Sequence, residues 1–162
     1  MEYNFAFLSF HELKAYELYE LLKLRSDIFV VEQNCVYSDM DNKDFDSYHC
    51  LVTVNSQHTS PQLSPLVGYA RILPSGLADN VPSIGRVLVH PDFRGRKLAY
   101  ILMEKCIEFT LEKYSTKKIS ISAQSHLSEF YGNLGFVKKG DEYLEDGIPH
   151  CKMYFLTQDK ND

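Results

Sequence analysis

The chain is 162 residues long, with 44% hydrophobic and 24% charged residues, the balance of a globular protein able to bury about two thirds of its unfolded surface. A formal charge of −5 with a pI near 5.7 argues against nonspecific nucleic-acid binding, which draws its affinity from many cations neutralising phosphates. No stretch reaches the ~18 apolar residues of a membrane span, and the N-terminus has no basic-then-apolar leader, so a cytoplasmic protein with neither nucleic-acid nor membrane partner is expected.

Residues 3 to 8 read as an opening strand. Ser9-x-x-Glu12 then matches a capping box and predicts a helix running to about Phe29. Its apolar stripe takes in Leu18, Leu21, Leu22 and Ile28, and Arg25 falls on that same stripe. A cation there needs a partner: either a structural ion pair, or an anionic group in a cleft, or Glu32. Glu32 follows the run Val30-Val31. Next comes an acidic stretch with Asp39, Asp41, Asp44 and Asp46, either a solvated loop or a gate that attracts an amine. It lacks the glycine and closing glutamate of a calcium loop.

His49 to Asn55 and Leu66 to Leu73 read as strands, joined by the polar hairpin loop Ser56 to Pro65. Gly76 to Pro82 is a turn, and Ile84 to Val89 is a β-branched and aliphatic strand ended by Pro91. From Leu98 the spacing turns helical, with Leu98, Leu102, Cys106 and Phe109 on one face and Glu104, Glu108 and Glu112 on the opposite one. Between them stands the cationic turn Arg94-Gly95-Arg96-Lys97. The first N–H groups of the helix have no intrahelical partner there and the helix dipole is positive, which suits a di-anion such as a pyrophosphate. A basic surface turn capping a core helix is the plain alternative.

Lys118 to Ala123 reads as a strand. Ser125 caps a short helix ending at Leu134, closed by a left-handed Gly135. Leu127, Phe130, Tyr131 and Leu134 share one face, the pattern of core residues. Phe136 to Tyr143 and His150 to Leu156 are expected to pair across Glu145-Asp146-Gly147-Ile148-Pro149, and a polar tail follows over 157–162. The cysteines lie apart with no C-x-x-C pair, which predicts reduced thiols. His49-Cys50 and His150-Cys151 are neighbours on strands and point to opposite faces, so no metal site is expected. A meander followed by alternating helices and strands predicts an α/β sandwich with a mixed sheet and about four helices.

Two segments carry a resemblance. Arg94-Gly95-Arg96-Lys97-Leu98-Ala99 after a strand resembles the acetyl-CoA-binding segment of the GNAT N-acetyltransferases, Arg/Gln-x-x-Gly-x-Gly/Ala, with Lys97 standing at the usual middle glycine. Ala123 to Phe136 resembles the later GNAT segment, a strand and then a helix bearing Phe-Tyr-x-x-x-Gly-Phe, whose tyrosine is Tyr131. Leu24 to Gln33, Ile84 to Val87 and Glu145 to His150 are similar to the ElaA-like branch of the superfamily.

The resemblance implies one GNAT domain over 1–156, with six to seven strands splayed where acetyl-CoA enters and about four flanking helices. It implies that Arg94, Gly95, Arg96, Lys97, Leu98 and Ala99 hold the pyrophosphate. Gln124 stands where an asparagine often bonds the pantetheine arm, and Leu88 and Val89 end the strand whose backbone meets the thioester. Tyr131 becomes the acid that protonates the departing thiolate. Candidate bases for the amine are Glu32, then His126, with His49 also in reach of the reading. The functional reading of the acidic stretch puts Arg25, Asp39 and Asp41 at the acceptor.

The implied activity is acetyl transfer from acetyl-CoA to a small-molecule or peptide amine in a ternary complex, by a monomer or homodimer without a metal. Two other readings stand beside it. Arg25-x-x-x-Phe29 with the acidic loop is similar to acyl-homoserine-lactone synthases, and a CoA-binding module without turnover would share the fold.

Overall fold

A computed structural model describes residues 1–55 and 65–158. The hairpin loop expected over Ser56 to Pro65 falls outside the described residues except for Pro65, as do residues 159–162 of the tail.

The described strands are β1 (Tyr3–Ser9), β2 (Tyr48–Val54), β3 (Leu66–Leu73), β4 (Ser83–Val89), β5 (Lys118–Gln124), β6 (Phe136–Lys138), β7 (Tyr143–Glu145) and β8 (Ile148–Leu156). They form one sheet in the order β1-β2-β3-β4-β5-β8-β6, with β7 also on β8. β4 and β5 run parallel and every other pairing is antiparallel. The mixed sheet expected from the sequence is therefore present with eight strands, because the stretch read as one strand from Phe136 to Tyr143 breaks at Gly140, whose φ is +84°. The β7–β8 turn is also tighter than expected. Asp146 and Gly147, at φ +49° and +76°, supply the two left-handed residues that a two-residue hairpin needs.

Among the described residues three α-helices flank the sheet: α1 (Ala15–Arg25), α2 (Leu98–Lys113) and α3 (Ser128–Asn133). Helices α2 and α3 cover one face. There Leu98, Leu102, Met103 and Cys106 pack on Cys50, Val52, Ala70, Ile72, Ile119 and Ile121. Helix α1 covers part of the other face, where Leu21, Leu24 and Ile28 meet Leu51, Leu66, Tyr69 and Leu88. The alternation of strand residues between the two clusters is what a two-sided sheet demands.

The first helix departs from the expectation at both ends. Glu12 does accept the Ser9 N–H at 2.8 Å, but only a short 3₁₀ turn, Phe10–Glu12, follows. Glu17 then accepts the Lys14 N–H at 2.8 Å, and α1 starts after that residue. Beyond Arg25 the chain continues as a wide π turn over Ser26–Glu32, shown by the Gln33 N–H on Ile28 O at 3.1 Å and the Cys35 N–H on Val30 O at 3.1 Å. That widening carries Glu32 to Cys35 out over the centre of the sheet, a region where local unwinding often accompanies function.

Two features open the sheet. Tyr69 pairs with Leu88 but Arg71 pairs with Gly85, so Arg86 and Val87 together oppose Ala70 in a bulge, and Arg86 takes φ +50°. A bulge bends its strand. The only register pair between β4 and β5 is Ser83 with Ser120, supported by the Ser120 N–H on Pro82 O at 3.0 Å. From there the strands part toward Val89 and Gln124.

Candidate active site

The cationic turn sits at the mouth of that opening. Gly95 and Lys97 take φ +75° and +61°, alternating with right-handed or extended neighbours, so successive N–H groups converge as an anion nest. None of the N–H groups of Gly95 to Ala99 has a hydrogen-bond acceptor among the described residues. Arg94, Gly95, Arg96 and Lys97 are exposed, while Leu98 anchors the helix start in the core at 1% exposure. A Cβ on Gly95 would meet nothing within 4 Å, so the space before the nest is open.

Arg94 is held by two groups. Its Nε donates to Val89 O at 3.2 Å, and its guanidinium meets both Glu32 oxygens, at 2.8 and 3.2 Å. Glu32 therefore does not lie on the floor of a cleft, nor does it meet Arg25. It is a surface partner of the cationic turn, because the π turn swings it away from the α1 stripe.

Leu88 and Val89 end β4 as buried residues at the wide side of the opening. Gln124 ends β5 opposite them, and its side-chain amide donates to Gln33 Oε1 at 3.1 Å. Tyr131 is 8% exposed on α3, with its ring edge-on to Phe130 and Phe136 at 4.9 and 6.0 Å. Its hydroxyl makes no hydrogen bond within the described residues and keeps slight exposure to solvent. Burial pushes its pKa up to about 12, which keeps the phenol protonated and able to donate.

The remaining candidate bases part company. His126 is exposed in the turn after β5, with no polar partner among the described residues. His49 is sealed at 0% exposure. Its Nε2 faces Asp44 O at 2.9 Å, so that nitrogen carries the proton, and Nδ1 accepts from the Tyr69 hydroxyl at 2.6 Å. Burial drives its pKa down, and no substrate reaches it.

The amine-attracting gate is corrected by the structure. Arg25 is fully buried and donates to Asp39 at 2.8 Å and Asp44 at 2.7 Å. Arg71 binds Asp41 through two bonds of 2.7 and 2.8 Å and Asp44 at 3.0 Å, and Arg86 reaches Asp39 at 2.7 Å. Three carboxylates are thus matched by three guanidinium groups beneath α1, and Arg25, Asp39 and Asp41 lie in a structural ionic layer. Burial opposes ionisation of Asp41 and Asp44, but hydrogen bonds from Arg71 and Arg25 outweigh it and hold both below the ordinary carboxylate range. The sequence carried one usable sign of this layer: Arg71 stands inside a strand buried along its whole length and needs a counter-charge for the same reason as Arg25. Nothing in the residue types announced the bulge that aims Arg86.

Sequence reading also missed a polar network on the half of the sheet that α1 leaves uncovered. Glu145 Oε2 accepts from Ser122 Oγ at 3.0 Å and lies 3.3 Å from His150 Nε2. Ser122 also bonds the Tyr143 hydroxyl. His150 Nδ1 donates to Ile148 O at 2.7 Å, and Tyr143 stacks on the imidazole. His150 had been weighed only for metal binding. Among the described residues no group of three or more His, Cys, Asp or Glu side chains is placed to hold a metal ion.

Comparison with known proteins bears on what this geometry is for. The family model described as an acetyltransferase (GNAT) domain matches residues 34–156. Protein ElaA of Escherichia coli is 42% identical over 144 residues, covering 88% of this chain and 89% of ElaA. Its crystal structure superposes with a TM-score of 0.84 over 95% of this chain and 99% of that one, at 38% identity. An acyl-CoA N-acyltransferase from Pseudomonas aeruginosa superposes at 0.85, with 33% identity and 95% and 99% coverage. A CoA-dependent acyl-homoserine lactone synthase, BjaI, shares the fold at a TM-score of 0.75 and 18% identity, covering 98% of this chain and 85% of its own.

Proposed function

This chain belongs to the GNAT acetyltransferase family, and on that premise we propose that it transfers an acetyl group from acetyl-CoA to a primary amine by direct attack in a ternary complex. The cofactor's diphosphate lies on the nest from Gly95 to Ala99, with Arg94, Arg96 and Lys97 as counter-charges. The single observation that carries the reading is this nest of unpaired N–H groups at the start of α2, opening on a sheet whose parallel strands share one register pair. The pantetheine arm extends between Val89 and Gln124, and the backbone around Leu88 and Val89 offers N–H groups to the oxyanion that forms when the amine adds to the thioester. Holding both reactants in one cleft supplies much of the acceleration.

Collapse of the tetrahedral intermediate breaks the C–S bond; the departing thiolate takes a proton from Tyr131, and the proton that the attacking nitrogen sheds passes through water to restore the phenol. A phenol kept protonated by burial, unbonded and slightly exposed, suits that role. Arg94 exchanges Glu32 for phosphate when the cofactor arrives. Likeness to the lactone synthase is one of fold alone and assigns no acyl donor to this chain.

Release of the CoA thiol from acetyl-CoA, followed with a panel of primary amines, tests the reading. Acceptor-dependent release is expected, and Tyr131→Phe should lower turnover by about 10²–10⁴-fold with acetyl-CoA affinity unchanged. Binding of acetyl-CoA without release for any amine would instead mark a CoA-binding module.

A further inference from the structure

We propose that Glu145, held by Ser122 and flanked by His150, is a receptor for an ammonium group of the acceptor other than the one that reacts, so that the acceptor carries two amino groups. This rests on the acyl-transfer reading above, because it is about the second substrate of the same cleft.

The carboxylate is built to be half used. Its one hydrogen bond, from Ser122 Oγ at 3.0 Å, falls on Oε2, and His150 Nε2 stands 3.3 Å from that same oxygen. Oε1 has no partner among the described residues, and the side chain is half exposed. The network also fixes the direction of that free oxygen. Ile148 O can only accept, so Nδ1 of His150 donates there, and the ring is held by that carbonyl and by Tyr143 stacked on it. A carboxylate oxygen pre-oriented in this way suits a group with several N–H donors.

The surrounding charges favour a cation. Neighbouring carboxylates are already matched: Asp39 and Asp41 by Arg86 and Arg71, Asp79 by Lys152 at 2.6 Å, and Glu32 by Arg94. The same pairs use up those cations. The hairpin segment Glu142-Tyr143-Leu144-Glu145-Asp146 has three acidic residues and no Lys or Arg.

Position separates this group from the reacting nitrogen. Gln124, at the pantetheine arm, pairs in register with His150. Ser122 lies two residues away on the same face, about 6.6 Å along the strand, whereas a nucleophile must come within about 3–3.5 Å of the carbon it attacks. The strap over the cleft links the two places, with Gln33 on Gln124 and the Cys35 thiol donating to Asp146 O at 3.4 Å. An ammonium on Glu145 is thus a handle, and a few methylene groups span the gap to the thioester.

Thiol release from acetyl-CoA is measured with 1,4-diaminobutane and with 4-amino-1-butanol, which differ only in the remote group. The native chain is expected to favour the diamine by about ten- to a hundredfold in kcat/KM, the size of one charge-assisted bond. Glu145→Gln should bring the two within about threefold, mainly by raising KM for the diamine, with acetyl-CoA affinity and the melting temperature unchanged. Equal use of both amines by the native chain, or a preference that survives Glu145→Gln, overturns the proposal while leaving acyl transfer standing. Should no amine release thiol, acyl transfer fails, and calorimetry of 1,4-diaminobutane with the native and Glu145→Gln chains decides the site alone: binding lost in the variant supports it, and equal or absent binding overturns it.

Discussion

Lys97 holds a backbone conformation that glycine normally takes, so Lys97→Gly and Lys97→Ala separate backbone strain from charge. At φ +61° and ψ 11° at the N-cap of α2, a residue with a Cβ bears about 1–2 kcal/mol of left-handed strain. Glycine removes the clash but makes the unfolded chain freer by about 0.4–1 kcal/mol. Lys97→Gly is therefore expected to be more stable by about 0.5–1 kcal/mol, or about 1–4 °C in Tm at this chain length. Alanine keeps the Cβ and should melt within about 1 °C of the native chain.

Both variants lose the same ammonium from the cationic turn. One exposed charge contact is worth about 0.2–1 kcal/mol, so acetyl-CoA affinity should fall by roughly 1.4- to 5-fold, less at high salt. The assays are thermal melting without ligand and calorimetry with acetyl-CoA at two ionic strengths. If the glycine variant melts at or below the alanine variant, the strain argument is wrong. If it binds acetyl-CoA more tightly than the native chain, closeness of backbone approach outweighs the charge, and Lys97 does not serve the phosphate.

Arg25→Met should destabilise the fold by about 1.5–3 kcal/mol, since it removes charge-assisted hydrogen bonds from buried Asp39 and Asp44, whose remaining guanidinium partners are Arg86 and Arg71; a denaturant titration showing a loss under 1 kcal/mol would remove the ionic layer from the stability argument. Acid should weaken the fold in two stages. The unfolded chain protonates His49 from about pH 6.5 downward while burial keeps the folded ring neutral, and from about pH 4 it protonates Asp41 and Asp44, whose folded pKa values are depressed. Stability is therefore present in full above about pH 6.5 and lost as pH falls, and a melting temperature constant from pH 7 to 3 contradicts this. Glu32→Gln frees Arg94 and should raise acetyl-CoA affinity up to about fivefold without slowing turnover, whereas a hundredfold drop in turnover would make Glu32 the base.

Much of the frame was legible because it rests on periodicity. Strands Leu66–Leu73 and Ser83–Val89 and helix Leu98–Lys113 follow directly from runs of β-branched residues or a 3.6-residue stripe, and Gly135 closes its helix at φ +100° as read. Functional placement was less legible, for two reasons. An aspartate in a polar loop looks the same in sequence whether it is solvated, facing a substrate or buried on an arginine, and only the long-range approach of Arg25, Arg71 and Arg86 decides among these. Glu32 was misplaced because the switch from α to π winding rotates every following side chain, and no residue type between Ser26 and Glu32 signals it. The Glu145 network joins residues from three strands, with β5 far from the hairpin in sequence, so no local pattern contained it.

The single register pair between β4 and β5, Ser83 with Ser120, has a mechanical consequence. The sheet behaves as two leaves bound at one corner, β1 to β4 on one side and β5 to β8 on the other. A ligand threaded along the gap supplies the edge that each leaf lacks and acts as a strut between them. Amide exchange from Val87 to Val89 should accordingly slow sharply when acetyl-CoA is added.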